Sequence, residues 1–260
     1  MKQNSNFFQD SEIKLVDLCQ SFGHQDIFKD INIEINKGDV TCIIGGSGVG
    51  KSVLVKIMSG LIVPSSGKVL HRNIDINSSN INFSSREKIL TRCGFLFQGG
   101  ALFDSLNVYE NIVFFAKHLF GLKDQEQKDF AALKLQDVGL DNDIIYNYPI
   151  ELSGGMQKRV ALARTIATNP KVIFFDEPTT GLDPIMSNVI NDLIINIKNK
   201  LKATIIVITH DMNTVKSVAD QVGFLSDHGL HYFKNKEDIY KESNKENNPL
   251  LYKFIRGEID

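Results

Sequence analysis

Cysteine is scarce: the three in 260 residues, Cys19, Cys42 and Cys93, are odd in number, widely spaced and without a metal-ligand pattern. That excludes a disulfide framework and leaves reduced, core-filling residues. Long apolar runs are missing too. None approaches the ~20 residues that cross a bilayer, and the greasiest candidate, Ile112 to Leu122, is interrupted by Lys117 and His118. The start, Met1-Lys2-Gln3-Asn4-Ser5-Asn6, runs into Phe7, Phe8 and Gln9 with no hydrophobic leader, which predicts a cytoplasmic location. Excess charge of one sign is lacking as well: 29 Lys+Arg against 31 Asp+Glu leave a formal net charge of −2. Bulk electrostatics therefore give no reason to expect a nucleic-acid partner or an anionic membrane surface. What remains, 42% hydrophobic and 23% charged residues, is the make-up of a folded protein with a substantial core, and 260 residues lie within the range of one large α/β domain.

The opening alternates as strands do, at Ile13–Leu18 and Ile31–Ile35, and then becomes wholly apolar from Val40 to Ile44, as a buried central strand would. A glycine-rich loop follows, then a helix expected over Val53–Leu61 and a turn at Pro64-Ser65-Ser66-Gly67. The middle third reads helical. Asn107 with Glu110 resembles a capping box, ahead of a single stripe of Ile112, Phe115, Ala116, Leu119 and Phe120, and a second helix is expected from Asp124 to Gly139. Strand and helix alternation returns with buried strands at Val172–Phe175 and Thr204–Ile208. Between them Asp183 caps and Pro184 opens a helix striped with Met186, Val189, Ile190, Leu193, Ile194 and Ile197. The expected organisation is one α/β domain over residues 1–240, β-rich at its start. It carries a helical insertion at about 99–157 and ends in a short docking tail, 241–260, with Leu250, Leu251, Phe254 and Ile255 as its apolar residues.

Gly45-Gly46-Ser47-Gly48-Val49-Gly50-Lys51-Ser52, followed by Val53, fits the P-loop pattern between a buried strand and a helix. Glycines let successive N–H groups turn toward phosphates, and the helix adds its positive end. Lys51 supplies a point charge and the Ser52 hydroxyl a ligand for Mg²⁺. Many reaction classes share such a loop. The strand Val172-Ile173-Phe174-Phe175 narrows them because it ends in Asp176 and Glu177: the first carboxylate suits Mg²⁺, the second an attacking water. Adjacent strand residues face opposite ways, and a bend at Pro178 is expected to let both address the nucleotide.

Leu152-Ser153-Gly154-Gly155-Met156-Gln157-Lys158-Arg159 is a third helix start, with Ser153 as cap and two glycines permitting close approach to a phosphate. Here the sequence resembles the ABC ATPase family in its signature motif. The resemblance runs in order to about Ser226, and it implies the α/β P-loop NTPase fold of ABC ATPases, with a β-rich subdomain and a helical insertion. It implies ATP and Mg²⁺ as cofactors and ATP hydrolysis as the activity. Phe22 takes the place of the adenine-stacking aromatic, more often tyrosine in the family. Gln98 matches the glutamine that reaches Mg²⁺ and the attacking water, Asp183 the D-loop, and His210 the switch histidine. Glu177, His210, Gln98 and Lys51 are the implied catalytic set, and Ser52, Gln98 and Asp176 the implied metal ligands. Ser153, Gly154, Gly155 and Gln157 would contact ATP held by a second copy, so a homodimer follows from one P-loop and one signature per chain.

The segment Gln98-Gly99-Gly100-Ala101-Leu102-Phe103-Asp104-Ser105-Leu106, with Val53 and Leu54 after the P-loop, resembles the phospholipid-transporting maintenance-of-lipid-asymmetry (Mla/Mkl) branch. Exposed Leu102 and Phe103 would then receive a permease. The branch implies an integral permease, a lipid-binding substrate protein and a place on the cytoplasmic face of the bacterial inner membrane. The residues leave open an ABC ATPase for another solute or a lipoprotein, and a non-transport ABC ATPase acting on DNA or ribosomes. The latter usually carries coiled-coil insertions or a second cassette, and neither is present in the sequence.

Overall fold

A computed structural model describes residues 11–226 and 229–258; the polar start Met1–Gln9 lies outside the described residues. The chain forms two sheets. Strands β1 (Ser11–Phe22), β2 (Gln25–Asn36), β4 (Ser66–His71) and β5 (Ile74–Asp75) make an antiparallel sheet in the order β2-β1-β4-β5. Strands β3 (Val40–Ile44), β6 (Cys93–Leu96), β7 (Val172–Asp176), β8 (Thr204–Ile208), β9 (Gln221–Ser226) and β10 (Gly229–Phe233) make the second, ordered β10-β9-β3-β8-β7-β6. The second is parallel except for β10, which runs antiparallel to β9. Strands β3, β7 and β8 are buried at every position, as their unbroken apolar runs require of a sheet covered on both faces.

Helices α1 (Lys51–Met58), α2 (Phe83–Leu90), α3 (Val108–Val113), α4 (Ala116–Phe120), α5 (Asp124–Asp137), α6 (Gly154–Ile166), α7 (Pro184–Leu201), α8 (Met212–Val218), α9 (Asn244–Asn247) and α10 (Pro249–Ile255) complete the chain. None of the described helices is long and apolar enough to cross a membrane. Partly buried polar pairs link the sheets. Glu12 of β1, almost fully buried, accepts from Arg92 just before β6 at 2.8 Å, and Tyr232 of β10 donates to the Glu34 carbonyl of β2 at 3.0 Å. Isolated, either charge or hydroxyl would be costly to bury.

Two expectations about helices need correction. The first helix stops at Met58, three residues early, because Gly60 at φ 75° lets the Leu61 N–H turn back to the Lys56 carbonyl at 2.8 Å. The predicted single stripe of the middle third is split. Asn107 and Glu110 do form the capping box, but α3 ends at Val113 and α4 begins at Ala116 after a tight turn. Ile112 and Ala116 enter the core, whereas Phe115, 62% exposed, Leu119 and Phe120 face outward. Buried Asn111 of α3 fixes the loop that leads into this helix: its amide donates to the carbonyls of Phe103, Leu106 and Asn107, and its Oδ1 accepts from Phe103 N–H.

Candidate functional site: a nucleotide pocket on the strand ends

The carboxyl ends of the parallel strands converge, which is where α/β sheets place ligands. β3 delivers the P-loop and β7 ends at Asp176, followed by Glu177; Gln98 and His210 lie two residues beyond β6 and β8. Gly45, Gly46, Ser47, Gly48, Gly50, Lys51, Ser52, Val53, Gln98, Glu177 and His210 line one cavity of about 750 Å³. Glycine is required at two points of the cradle. A Cβ on Gly45 would stand 2.3 Å from the Leu225 carbonyl oxygen, and one on Gly50, at φ 102°, 2.5 Å from an Ile27 methyl. Val49 departs from the expected lining and packs on the core beneath the loop.

Lys51 is nearly buried and donates to the carbonyls of Gly45 (2.8 Å) and Gly46 (2.7 Å). Burial lowers its pKa, opposed by the charges of Glu177 and Asp176, so an anion in the cavity would relieve the cost of keeping it charged. Ser52 donates to Asp176 Oδ1 at 3.2 Å. Burial raises the Asp176 pKa, the Ser52 hydrogen bond opposes this, and the Glu177 charge adds to it. A carboxylate placed so uncomfortably, beside a hydroxyl and at the mouth of a phosphate cradle, fits a divalent cation, which would stabilise its ionised form. Ser52 and Asp176 are the residues that would hold Mg²⁺, with exposed Gln98 at the cavity rim.

Glu177 itself makes the bend that was expected at Pro178. It adopts φ 51°, a left-handed conformation that is uncommon for non-glycine residues and that a following proline does not favour. Its N–H donates to the Ile208 carbonyl at 3.0 Å, Thr180 donates to its Oε2 at 3.0 Å, and His210 Nδ1 lies 3.0 Å from both carboxylate oxygens. Strain at one residue held by contacts on every side is characteristic of functional positions. Sequence reasoning did not single out Lys158. Its ammonium donates to the carbonyls of Glu177, Pro178 and Thr180 at 3.3, 3.1 and 2.9 Å, pinning α6 to the strained turn. Arg164, also on α6, donates to the carbonyls of Gly100 (2.7 Å) and Ala101 (2.8 Å) and so holds the loop after Gln98. Nothing in residue spacing marks either role.

The remaining predicted residues stand outside this cavity. Phe22 is 49% exposed at the end of β1, paired across a hairpin with Gln25. Ser153 caps α6, its Oγ accepting from Met156 N–H at 3.3 Å, and open space surrounds Gly154. The Gln157 amide turns inward to the carbonyls of Pro149 (2.7 Å) and Leu152 (3.2 Å), which commits it to shaping the loop before α6. Asp183 caps α7, accepting from Ile185 and Met186 N–H at 2.9 Å.

Residues 28–180, more than half of the chain, match the family model described as "ABC transporter". The chain belongs to the ABC transporter family. As an ABC ATPase it binds ATP and hydrolyses it. A similar relative, the probable ribonucleotide transport ATP-binding protein mkl of Mycobacterium leprae, is 37% identical over 94% of this ABC protein and 69% of its own length. The intermembrane phospholipid transport system ATP-binding protein MlaF of Haemophilus influenzae is 35% identical over 95% of this chain and 91% of its own. Among solved structures, a dimeric post-hydrolysis state of an ATP-binding cassette bound to ADP and Pi superposes with a TM-score of 0.75 and 29% identity, over 85% of this chain and 97% of that one.

Proposed function

We propose that two copies of this ABC ATPase power a separate membrane permease that moves phospholipids, working from the cytoplasmic face of a bacterial inner membrane. The observation that carries the catalytic part is the convergence of Lys51, Ser52, Gln98, Glu177 and His210 on one cavity. Glu177 is the general base: half-buried, strained and held by His210 and Thr180, it is oriented to take a proton from an attacking water. Lys51 and the N–H groups of the P-loop neutralise charge developing on the phosphates. Mg²⁺, held by Ser52 and Asp176, would add its charge there. His210 keeps Glu177 in place and is positioned to sense whether a terminal phosphate is present.

Each chain carries one phosphate cradle and one separate helix start, exposed at Ser153 and Gly154, with Gly155 closed against Met186. Their separation favours a pair in which each cradle faces the other copy's helix start. MlaF supports the phospholipid reading by its name and its near full-length match; mkl, named for ribonucleotide transport, favours a different cargo. For the permease, the support is a second cavity of about 970 Å³ lined by Phe83, Leu90, Phe97, Phe103, Phe115 and Leu119. Phe103 is exposed there as expected, while Leu102 is half-buried against the core. The deciding experiment is affinity capture of the tagged ATPase from membranes in mild detergent, with identification of co-purifying proteins and lipids. A permease with a lipid-binding protein and enriched phospholipid is the expected recovery. A permease with another solute-binding protein discards the lipid assignment.

A further inference from the structure

The nucleotide cavity has a wall that no motif supplies. Phe254, Ile255 and Gly257 line it together with the P-loop, Glu177 and His210, although they lie more than seventy residues past the matched family region. Local chemistry explains how the end of the chain comes to stand there. Asn248 accepts from Leu251 N–H at 3.1 Å and Pro249 opens α10, both good helix-start features. Leu251 and Phe254 are buried, and the Phe254 ring centroid lies 5.6 Å from that of Phe224. Phe224 of β9 is the register partner of Ile44, the last strand residue before the P-loop, and its neighbour Leu225 holds the carbonyl against which Gly45 must close. The tail therefore packs on the strand that backs the phosphate cradle.

What α10 presents to the cavity is apolar. The cations of this segment, exposed Lys253 and Arg256, do not line the cavity, and Arg256 is engaged by its own segment, 4.5 Å from the Tyr252 ring centroid and 3.6 Å from Glu242. Apolar groups beside a phosphate cradle displace water and strengthen the attraction between Lys51 and an anion, because fewer solvent dipoles screen it. We propose that α10 is a water-excluding wall of the nucleotide site, so that its docked position sets the affinity for ATP. The inference rests on the cavity being the ATP site and adds to it a residue segment that acts on binding.

The test is a pair of opposite charges at half-buried Ile255 in the full-length protein. A wall facing phosphates makes Ile255→Glu weaken, and Ile255→Lys preserve or tighten, the binding of a fluorescent ATP analogue. The two dissociation constants are expected to differ by about tenfold. A purely structural residue would move both variants in the same direction, so equal constants overturn the proposal. Should either variant fold poorly, hydrogen exchange on the unaltered protein decides: ATP is expected to slow the amides of residues 249–257, and no change there overturns the proposal. Lys51→Ala separates the two levels. If it binds ATP like the unaltered protein, the cavity is not the nucleotide site at all. If it loses binding while the Ile255 pair stays equal, only the role of the tail falls.

Discussion

The nucleotide cavity and the second groove differ in how their walls are made. The first is walled mainly by glycines, a lysine, two serines, a glutamine, a carboxylate and a histidine, most of them set on the ends of β3, β7 and β8, which are buried at every position. The second is walled mainly by phenylalanines and leucines from α2, β6 and the loop after it, and the start of α4, with Arg86, Glu87, His118 and Arg164 among them. In the first, Lys51, Ser52, Glu177 and His210 are each held by partners within the chain, and Lys158 braces the turn after Glu177 through three carbonyls. In the second, Phe115 and Leu119 stand at least half exposed, far more apolar surface than a folded chain has reason to leave in water. The difference separates chemistry, which needs groups locked before substrate arrives, from docking, which needs uncovered surface and a partner to bury it.

The sharpest way to test the chemical side is Glu177→Gln. Hydrolysis is expected to fall by about 10³-fold, within the range for loss of a general base, while ATP binding and ATP-dependent pairing persist, as followed by phosphate release and by size-exclusion chromatography. Normal turnover in that variant would remove Glu177 from the role and leave the strain at φ 51° without a catalytic purpose.

Asn111 anchors the loop carrying Phe103 to α3. Asn111→Ala leaves the Phe103 N–H and three carbonyls without their buried partner, and should destabilise the fold by about 2–3 kcal/mol. Chemical denaturation measures this, and the groove is expected to lose its shape before the nucleotide cavity does. If ATP binding instead collapses in step with stability, the two regions are one cooperative unit rather than two.

How much of each region could be read from sequence follows the same division. The P-loop, Asp176 and Glu177 could be read from residue types placed at the ends of buried strands, whereas Gln98 and His210 entered only through the resemblance to ABC ATPases; all but Asp176 supply residues to one cavity wall. The groove was not legible. Ile112, Phe115, Ala116, Leu119 and Phe120 share a helical period, and periodicity reports a common face without saying what covers it. Only the turn at 114–115 sends Ile112 and Ala116 inward and leaves Phe115, Leu119 and Phe120 outside. Lys158 escaped notice for a related reason: a lysine on a helix carries no sign that its ammonium will cap a turn nineteen to twenty-two residues away.

Leu119→Glu tests the docking side. A carboxylate in the middle of an apolar interface should cost on the order of 2 kcal/mol of docking affinity, about thirtyfold in Kd, with basal ATP hydrolysis of the isolated subunit unchanged. Co-purification with the permease is the readout. Undiminished recovery would show that the groove is covered by something other than the permease.

The smallest effect expected is at the rim of that groove. Asn82 caps α2, its side chain accepting from Ser85 N–H at 2.8 Å, and α2 supplies Phe83 and Leu90 to the wall. Asn82→Ala should cost about 1 kcal/mol, too little to unfold the protein but enough to fray a helix of eight residues whose buried face is a single side chain, Ile89. Asn82→Asp keeps an acceptor at the same place and adds a charge favourable to a helix start, so it should restore α2. Hydrogen exchange across residues 83–90 distinguishes these outcomes. Faster exchange in the alanine variant alone, with unaltered ATP binding, is expected if the groove is a separately stabilised docking surface; slower ATP binding as well would tie α2 to the nucleotide cavity and dissolve the distinction.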